Sequence, residues 1–473
     1  MQRSDNAPHF PSSNLCDLFG FSRTSRSALM ALGLLTLGGS ALGCGGDDPA
    51  ETTAPVTPAT TTAVTETPEP PAAPADPLAL PDDLPNGLML GYSDFAEDDN
   101  GSYTVPQPAR LEILTRRGGE WTTEVVTDAD SNVFHKAMPY TPAEGAPGIL
   151  TAAGSGAFVR IWRRGAEGFT AETLWTEAFG GRFDRMRDIE VGDLYGDGRP
   201  AIAVATHDQG VFAVLRQAVG GAWTVDRMDA HPNTFVHEVE IGDLNGDGKL
   251  EVYSTPSEPN RLDGGAQHGE VLRYVPQDGR GSRTVVADLG QRHAKEIWVG
   301  DVDGDGRDEL YVAVEALTRM ENGNLVTVEP VEIRRYEHDT PADARVVVAT
   351  FDDNQCRFLT VGDFDGDGKR EMVAAAMRSG LWLLRPGSNP RGEWSVERID
   401  GESGGFEHAS IAADLDADGR QELYVASDTH GELRRYVWVN GRPRRQMIHS
   451  RAEPRQRMTW NITAVPVSLL GAR

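Results

Sequence analysis

Short apolar runs of β-strand length alternate with polar, glycine-rich segments along most of the chain. The clearest runs stand in pairs around an Asp- and Gly-rich segment: 239–241 with 252–254, 297–299 with 310–314, and 359–361 with 372–375. None of these runs shows the 3.6-residue period of an amphipathic helix. Each pair therefore predicts two strands joined by a loop, and the whole pattern predicts an all-β protein.

The loops between such strands are near-identical in sequence and carry oxygen-bearing side chains at positions 1, 3 and 5. These residues are Asp243, Asn245 and Asp247; Asp301, Asp303 and Asp305; Asp363, Asp365 and Asp367; and Asp414, Asp416 and Asp418. Alternate oxygen groups in a tight turn converge on one point, and a glycine at position 6 lets the backbone carbonyl of position 7 join them. The position-7 residues are Lys249, Arg307, Lys369 and Arg420. This spacing predicts four calcium sites.

Position 9 completes each predicted site with an acid, namely Glu251, Glu309, Glu371 or Glu422. An EF-hand would need its glutamate at position 12, where this chain has Ser254, Val312, Ala374 and Val425. Asp and Gly also favour ordinary turns, but a turn requires neither three spaced oxygens nor the acid at position 9. The loops are therefore predicted to bind calcium in a setting other than an EF-hand.

A fifth loop begins at Asp193 and departs from the pattern. Asp197 keeps position 5, whereas Tyr195 and Ala201 replace the groups at positions 3 and 9. We expect weak or no calcium binding there, because only two carboxylates remain.

These loops resemble those of the FG-GAP and VCBS repeats, which are known from integrin alpha chains and from many bacterial surface proteins. The resemblance covers roughly residues 87 to 470 and is specific because the loop recurs. It implies a β-propeller in which each loop joins strands 1 and 2 of a blade. The sites would then serve first to stabilise the fold.

The repeat spacing predicts seven blades over residues 86–473. Five loops mark five blades, and 135–151 aligns with 237–253 as a sixth blade that has lost its acids. Residues 87–93, 109–114 and 121–126 supply strands 2, 3 and 4 of the seventh, and 460–469 supplies its first strand. Pairing the last strand of the chain with the first blade hides the edges that an open ring would expose.

The start of the chain predicts export and a lipid anchor. Arg23 and Arg26 precede a short apolar run that ends in Gly43-Cys44, as in a bacterial lipoprotein signal at 1–43. Cys44 would then be lipidated. Residues 44–85 are rich in Pro, Thr and Ala and predict a disordered tether between the membrane and the propeller.

The composition narrows the set of partners. The net charge of −27 argues against nucleic acid binding. Of the three cysteines, Cys16 falls in the signal and Cys44 would carry lipid, which leaves Cys356 alone. The mature chain therefore cannot form an internal disulfide, and we expect an exported monomer stabilised by calcium.

A basic or titratable residue stands six positions before each loop and forms a candidate ligand ring: His135, Arg187, His237, Lys295, Arg357 and His408. These residues begin the predicted first strands, so we expect them around the channel mouth, opposite the calcium loops. Such a ring favours an anionic glycan or protein ligand whose binding weakens above about pH 7 as the histidines lose charge. The structural alternative is that they pair with Asp188, Glu238 and Glu296.

Two classes of function agree with these features. One is a non-catalytic ligand-binding or adhesion module on a bacterial envelope, which needs no catalytic residues. The other is a propeller enzyme, a lyase or dehydratase, that acts on an acidic saccharide through the ring.

Overall fold

The computed structural model describes residues 76–181, 184–207, 209–259, 267–322, 324–451 and 457–471. The predicted signal peptide, Cys44 and the tether up to residue 75 lie outside this part of the chain. In the described part, nearly all regular structure is β, with two short 3₁₀ turns at Pro276–Asp278 and Val467–Leu470. No helix there is both long and apolar enough to cross a membrane.

Apart from one two-stranded hairpin, the described strands form seven antiparallel sheets, which are the blades of a propeller and confirm the predicted fold. Blades 1 to 4 contain β1 (Asn86–Glu97), β2 (Tyr103–Pro106), β3 (Ala109–Arg117) and β4 (Glu120–Asp128); β5 (Val133–Tyr140), β6 (Gly148–Gly154), β7 (Ala157–Gly165) and β8 (Gly168–Glu177); β9 (Met186–Gly192), β10 (Ala201–Thr206), β11 (Phe212–Gln217) and β12 (Trp223–Asp229); and β13 (Phe235–Gly242), β14 (Glu251–Ser257), β15 (Glu270–Tyr274) and β16 (Thr284–Asp288).

Blades 5 to 7 follow the same order of strands. They contain β17 (Ala294–Gly300), β18 (Glu309–Val314), β21 (Val331–Tyr336) and β22 (Val347–Phe351); β23 (Cys356–Gly362), β24 (Glu371–Ala376), β25 (Gly380–Arg385) and β26 (Ser395–Asp400); and β27 (Ser410–Ala413), β28 (Glu422–Ser427), β29 (Glu432–Val439) and β30 (Arg442–Ser450). A separate hairpin, β19 (Leu317–Glu321) and β20 (Asn324–Glu329), is inserted in blade 5. This insertion accounts for the longer spacing between the Asp301 and Asp363 loops.

The last strand of the chain closes the ring. β31 (Arg457–Pro466) pairs antiparallel with β1, from Asn86 opposite Pro466 to Asp94 opposite Arg457. Blade 1 is thus built from both ends of the described chain, as the sequence predicts. The pairing covers the edge of β1 that would otherwise be open at the seam.

The core lies between neighbouring blades rather than in a single centre. The second strands β10, β24 and β28 are buried at every position, whereas the outer strands β4 and β12 alternate between exposed and more buried residues. A strand that is covered on both faces has a continuous run of apolar residues, whereas apolar and polar residues alternate in an outer strand. First strands of neighbouring blades contact each other, which places them innermost around the axis.

Candidate functional site

The predicted calcium loops connect the innermost strand of a blade to its second strand. In the loop between β17 and β18, one carboxylate oxygen from each of four acids lies within 4.8 Å of the others. These acids are Asp301, Asp303, Asp305 and Glu309. Carboxylate oxygens gathered in this way are the ligands that Ca²⁺ prefers. The structure therefore brings all four predicted side chains of this loop together.

Two further loops gather three acids each within the same distance. The groups are Asp363, Asp365 and Glu371 in blade 6, and Asp414, Asp416 and Asp418 in blade 7. Asp367 and Glu422, also predicted as ligands, are not members of these groups. The sequence therefore predicts the position of both sites, and the structure assembles each of them in part.

Hydrogen bonds from the backbone fix the shape of each loop. In blade 5, Oδ2 of Asp301 accepts from the N–H of Gly306 at 3.0 Å, and Oδ1 of Asp305 accepts from the N–H of Arg307 at 2.9 Å. Gly306 has a φ of 88°, a left-handed conformation that glycine adopts at little cost. The predicted role of the position-7 carbonyls of Lys249, Arg307, Lys369 and Arg420 stays a prediction.

The Asp243 loop has the same hydrogen-bond scheme although it contains one amide. The N–H of Asp247 donates to Oδ1 of Asp243 at 3.0 Å and to Oδ1 of Asn245 at 2.9 Å. The N–H of Gly248 donates to Oδ2 of Asp243 at 2.7 Å. An amide oxygen is a neutral ligand, so this loop offers calcium one charge fewer than the other three.

The position-9 glutamates are buried at the start of the second strand, where they support the loop from behind. Oε2 of Glu309 accepts from the N–H of Val302 at 3.4 Å and from the hydroxyl of Tyr311 at 3.2 Å. Tyr253 and Tyr424 donate to Glu251 and Glu422 in the same manner. Blade 6 has Val373 at the tyrosine position. These tyrosines are not among the predicted site residues, although the repeated Glu-x-Tyr marks them in the sequence.

Burial also changes the charge of these acids when no cation is bound. It raises the pKa of Glu309 and of Glu371 to about 7, because the ionised form is poorly solvated there. A bound Ca²⁺ would stabilise the ionised form and displace the proton.

Each of the five loops is also reached by an arginine from the third strand of its own blade. The shortest ion pairs are Arg216 to Asp197 at 2.7 Å, Arg273 to Glu251 at 3.2 Å, Arg335 to Asp303 at 2.6 Å, Arg385 to Asp365 at 3.5 Å, and Arg435 to Glu422 at 2.7 Å. These arginines are not among the predicted site residues, because they lie in another strand, far from the loop along the chain. The signal was an arginine that recurs after an apolar residue in each third strand or, in blades 5 and 7, after another arginine.

The Asp193 loop differs from the others as its sequence predicts. The guanidinium of Arg216 lies 3.8 Å above the ring of Tyr195 and pairs with Asp197. An arginine therefore pairs with one of the two remaining acids, as in the other loops, and weak or no calcium binding at this loop stays a prediction.

The residues of the candidate ligand ring lie at the other end of the innermost strands. All six are buried, between 0 and 5% exposed, so they are more enclosed than side chains at an open channel mouth. Five of them lie where the strand pairing is interrupted by a β-bulge: His135, Arg187, His237, Lys295 and Arg357. His408 precedes β27 and has a φ of 57°. A β-bulge turns a side chain away from the direction that regular pairing would give it.

Trp460 is a seventh member of the ring that the sequence analysis missed. It lies at the matching bulge of β31, opposite the step from Gly91 to Tyr92. The guanidinium of Arg187 lies 5.0 Å from its ring, and the His135 ring is edge-on to it at 5.0 Å. The indole of blade 1 thus contacts one residue of blade 2 and one residue of blade 3. The split of blade 1 across both chain ends hid this position from the alignment.

On the other side of the ring, acids neutralise the cations. Nε of Arg357 lies 2.7 Å from Glu315, and Nζ of Lys295 lies 3.7 Å from the same carboxylate. Nε2 of His293 is 2.9 Å from Glu315, and Arg357 also pairs with Glu407 at 3.4 Å. These contacts bind three nitrogen-bearing side chains around one buried carboxylate.

Comparison with known proteins identifies the repeat. A family model described as FG-GAP-like repeat matches residues 193–254 and 363–425. The chain carries FG-GAP-like repeats. The first matched segment contains the Asp193 and Asp243 loops, and the second contains the Asp363 and Asp414 loops. A search of curated proteins finds no match to this FG-GAP-like propeller.

Among solved structures, the FG-GAP-like propeller is similar to three bacterial proteins. A periplasmic gluconolactonase from Pseudomonas aeruginosa is 13% identical with a TM-score of 0.47, over 80% of this chain and 99% of that one. A proposed 6-phosphogluconolactonase from Bacteroides fragilis is 11% identical with a TM-score of 0.42, over 80% and 98%. A protein of unknown function from Desulfotomaculum acetoxidans is 11% identical with a TM-score of 0.43, over 80% and 98%.

The acids beside the ring residues connect neighbouring blades. Asp188, Glu238 and Glu296 accept hydrogen bonds from the backbone of the next blade, at the N–H groups of Val239, Ile297 and Leu359. The alternative that these acids also pair with the ring residues stays a prediction.

The charge state of the ring histidines differs from the prediction that they lose their charge near pH 7. Burial, together with nearby positive groups, lowers the pKa of His135 and of His237 well below 6.5, and burial lowers the pKa of His408 to about 4. These histidines of the FG-GAP-like propeller are neutral at pH 7. The predicted loss of histidine charge near pH 7 is therefore wrong.

Proposed function

We propose that this protein is a calcium-binding propeller that acts as a ligand-binding or adhesion module on a bacterial envelope. The observation that carries the calcium part is the cluster of Asp301, Asp303, Asp305 and Glu309, whose oxygens converge within 4.8 Å. The FG-GAP-like repeat supports calcium binding at the Asp243, Asp363 and Asp414 loops, which lie in the matched segments, whereas the Asp301 loop lies between them and is included by its sequence pattern. The bound ion would be held by residues of one loop and would join the ends of two strands.

The calcium in this proposal is structural. Surface modules of this kind bind Ca²⁺ at about 10⁻⁴ to 10⁻³ M, and a tenfold excess over the dissociation constant stabilises the fold by about 1.4 kcal/mol per site. The described part of the chain contains one cysteine, the buried Cys356, and so it has no internal disulfide to provide the same support.

The ligand in this proposal is anionic and binds at the ring end of the innermost strands, away from the calcium loops. Arg187, Lys295 and Arg357 of blades 3, 5 and 6 would supply the positive charge, although Glu315 already neutralises part of the charge of Lys295 and Arg357. Export through the predicted signal and anchoring at Cys44 would place this face outside the cytoplasm. An array of acidic and neutral saccharides is the direct way to identify the ligand.

Chelation tests the calcium proposal. Adding EGTA should lower the melting temperature, because the stabilisation that the bound ion gives to the folded protein is then lost. Asp305→Asn should reduce the stability gained on adding calcium. Asp193→Asn should change it little, because Arg216 already occupies that loop. Melting curves in EGTA and after refilling with calcium provide the measurement, and identical curves would refute a structural role for calcium.

A further inference from the structure

The third-strand arginines lie beside carboxylates that a calcium ion would also need. Arg335 shows this most clearly, because its Nη2 lies 2.6 Å from Oδ2 of Asp303 and 3.1 Å from Oε1 of Glu309. Asp303 is position 3 of the loop and Glu309 is position 9, and both belong to the four-acid cluster. One guanidinium therefore bridges two of the four predicted calcium ligands.

The surroundings hold Arg335 in this place. Its side chain is 3% exposed, and its Nη1 pairs with Glu337 at 2.6 Å. The residue lies opposite Tyr311 in the pairing of β18 with β21, and Tyr311 in turn donates to Glu309. A buried guanidinium with three acidic partners has few other positions to adopt without losing a charge pair.

We propose that Arg335 is an internal cation that competes with calcium for the Asp301 loop and thereby sets the calcium affinity of that site. This inference rests on the proposed calcium binding. Without calcium, the guanidinium neutralises carboxylates that would otherwise repel each other. When calcium binds, the same oxygens turn to the ion, and the nearby positive charge opposes it. Arg335 therefore stabilises the empty loop and weakens the filled one.

The other loops form a series around this case. Arg216 stacks on position 3 and pairs with position 5 of the loop that lacks acids at positions 3 and 9. Arg385 lies 3.5 Å from position 3 and 3.7 Å from position 9 of its loop, whereas Arg273 and Arg435 pair with the position-9 glutamates. An arginine that pairs with two predicted ligands withholds more oxygens from an ion than one that pairs with position 9 alone. The position of the arginine thus predicts how strongly it opposes calcium binding in each of the five loops.

The test isolates the Asp301 loop in the full chain by replacing the first aspartates of the other complete loops, as D243N, D363N and D414N. Calorimetric calcium titration then reports this loop alone. Replacing the arginine in that background, as R335Q, should tighten calcium binding by about 3- to 10-fold, because a neutral side chain no longer opposes the ion. The melting temperature in EGTA should fall at the same time, so that the difference between calcium and EGTA widens.

Arg334 provides a matched control. It is the neighbouring residue in β21, points to the other face of the strand and pairs with Glu332 at 2.8 Å. R334Q should leave the calcium affinity unchanged even if it lowers stability, and R335K, which keeps a charge, should fall between the parent and R335Q.

The outcomes separate the two proposals. Absence of calcium uptake by the parent background would refute the proposed calcium site itself. Uptake by the parent with equal or weaker binding in R335Q would leave calcium binding intact and overturn the competition, because Arg335 would then only orient Glu309.

Discussion

At the scale of single residues, backbone conformation is as decisive for the loops as their carboxylates. Position 4 of each loop is left-handed, and four of the five loops have glycine there. The Asp414 loop has Ala417 instead, with a φ of 60°. A β-carbon in this conformation costs about 1 kcal/mol or more, so this loop carries a strain that the others avoid.

Replacing this residue with glycine should therefore stabilise the protein. Ala417→Gly should raise the free energy of unfolding by about 0.5 to 1 kcal/mol, since the relief of strain exceeds the added flexibility of the unfolded chain. Ala344→Gly is the control, because Ala344 lies in a turn without a positive φ and should lose stability. Denaturant unfolding at fixed calcium measures both, and a destabilised Ala417→Gly would contradict the strain.

The same scale shows why part of each site was predictable. Asp301, Asp303 and Asp305 lie within one turn, so residues that are close in the sequence are also close in the structure. Arg335 reaches Asp303 from a different strand, and no local pattern links the two. Trp460 is hidden for a similar reason, because its blade is assembled from chain ends that no alignment of consecutive residues compares.

At the scale of strands, side chains of the innermost strands connect each blade to the next. Asn461 accepts from the N–H of Ala137 at 3.1 Å, and Glu296 accepts from the N–H of Leu359 at 2.7 Å. Between blades 2 and 3 the contact is an ion pair, from Lys136 to Asp188 at 3.3 Å. Each of these contacts links a side chain to the innermost strand of the next blade. Neighbouring innermost strands are therefore held in a fixed position relative to one another. The bulges place the ring residues just before these contacts.

β31 is the element on which closure depends. A chain that ends at Arg457 should expose the edge of β1 and remove Trp460, Ile462 and Val465 from the buried core. We expect aggregation, because an open apolar strand edge pairs with other chains. Size-exclusion chromatography with light scattering measures it.

A chain that ends at Leu470 serves as the control, since it keeps β31 and the turn that follows. It should stay monodisperse. If the chain ending at Arg457 also stays monodisperse and melts at an unchanged temperature, the seam contributes nothing to solubility.

At the scale of the whole molecule, the calcium loops and the ring lie at opposite ends of the innermost strands. The distance between them is about 20 Å for six residues of strand. The loop end is rich in carboxylates, while the cations at the ring end pair with Glu315 and Glu407. The number of blades and their closure follow from the repeat, so they could be predicted from the sequence. The hairpin β19–β20 could not, because an insertion carries no signal of the repeat it interrupts.

The buried histidines make the unfolding free energy of the whole fold depend on pH. The pKa of His408 is about 4 in the folded protein and near 6.5 when unfolded, so between these values the unfolded state binds more protons. Its contribution is fully present above about pH 6.5 and is lost as the pH falls toward 4. At about 1.4 kcal/mol per pKa unit, His408 alone contributes on the order of 3 kcal/mol.

Comparing His408→Asn with the unaltered protein isolates this effect, because asparagine tolerates the left-handed backbone at this position and does not titrate. Both proteins share all other titrating acids, so the difference between their unfolding free energies should shrink as the pH falls from 7.5 to 4.5 at saturating calcium. The aspartate loops would add the same pH dependence to both. A difference that stays constant over this range would mean that the pKa of His408 is the same in the folded and the unfolded protein, so that its burial does not lower it.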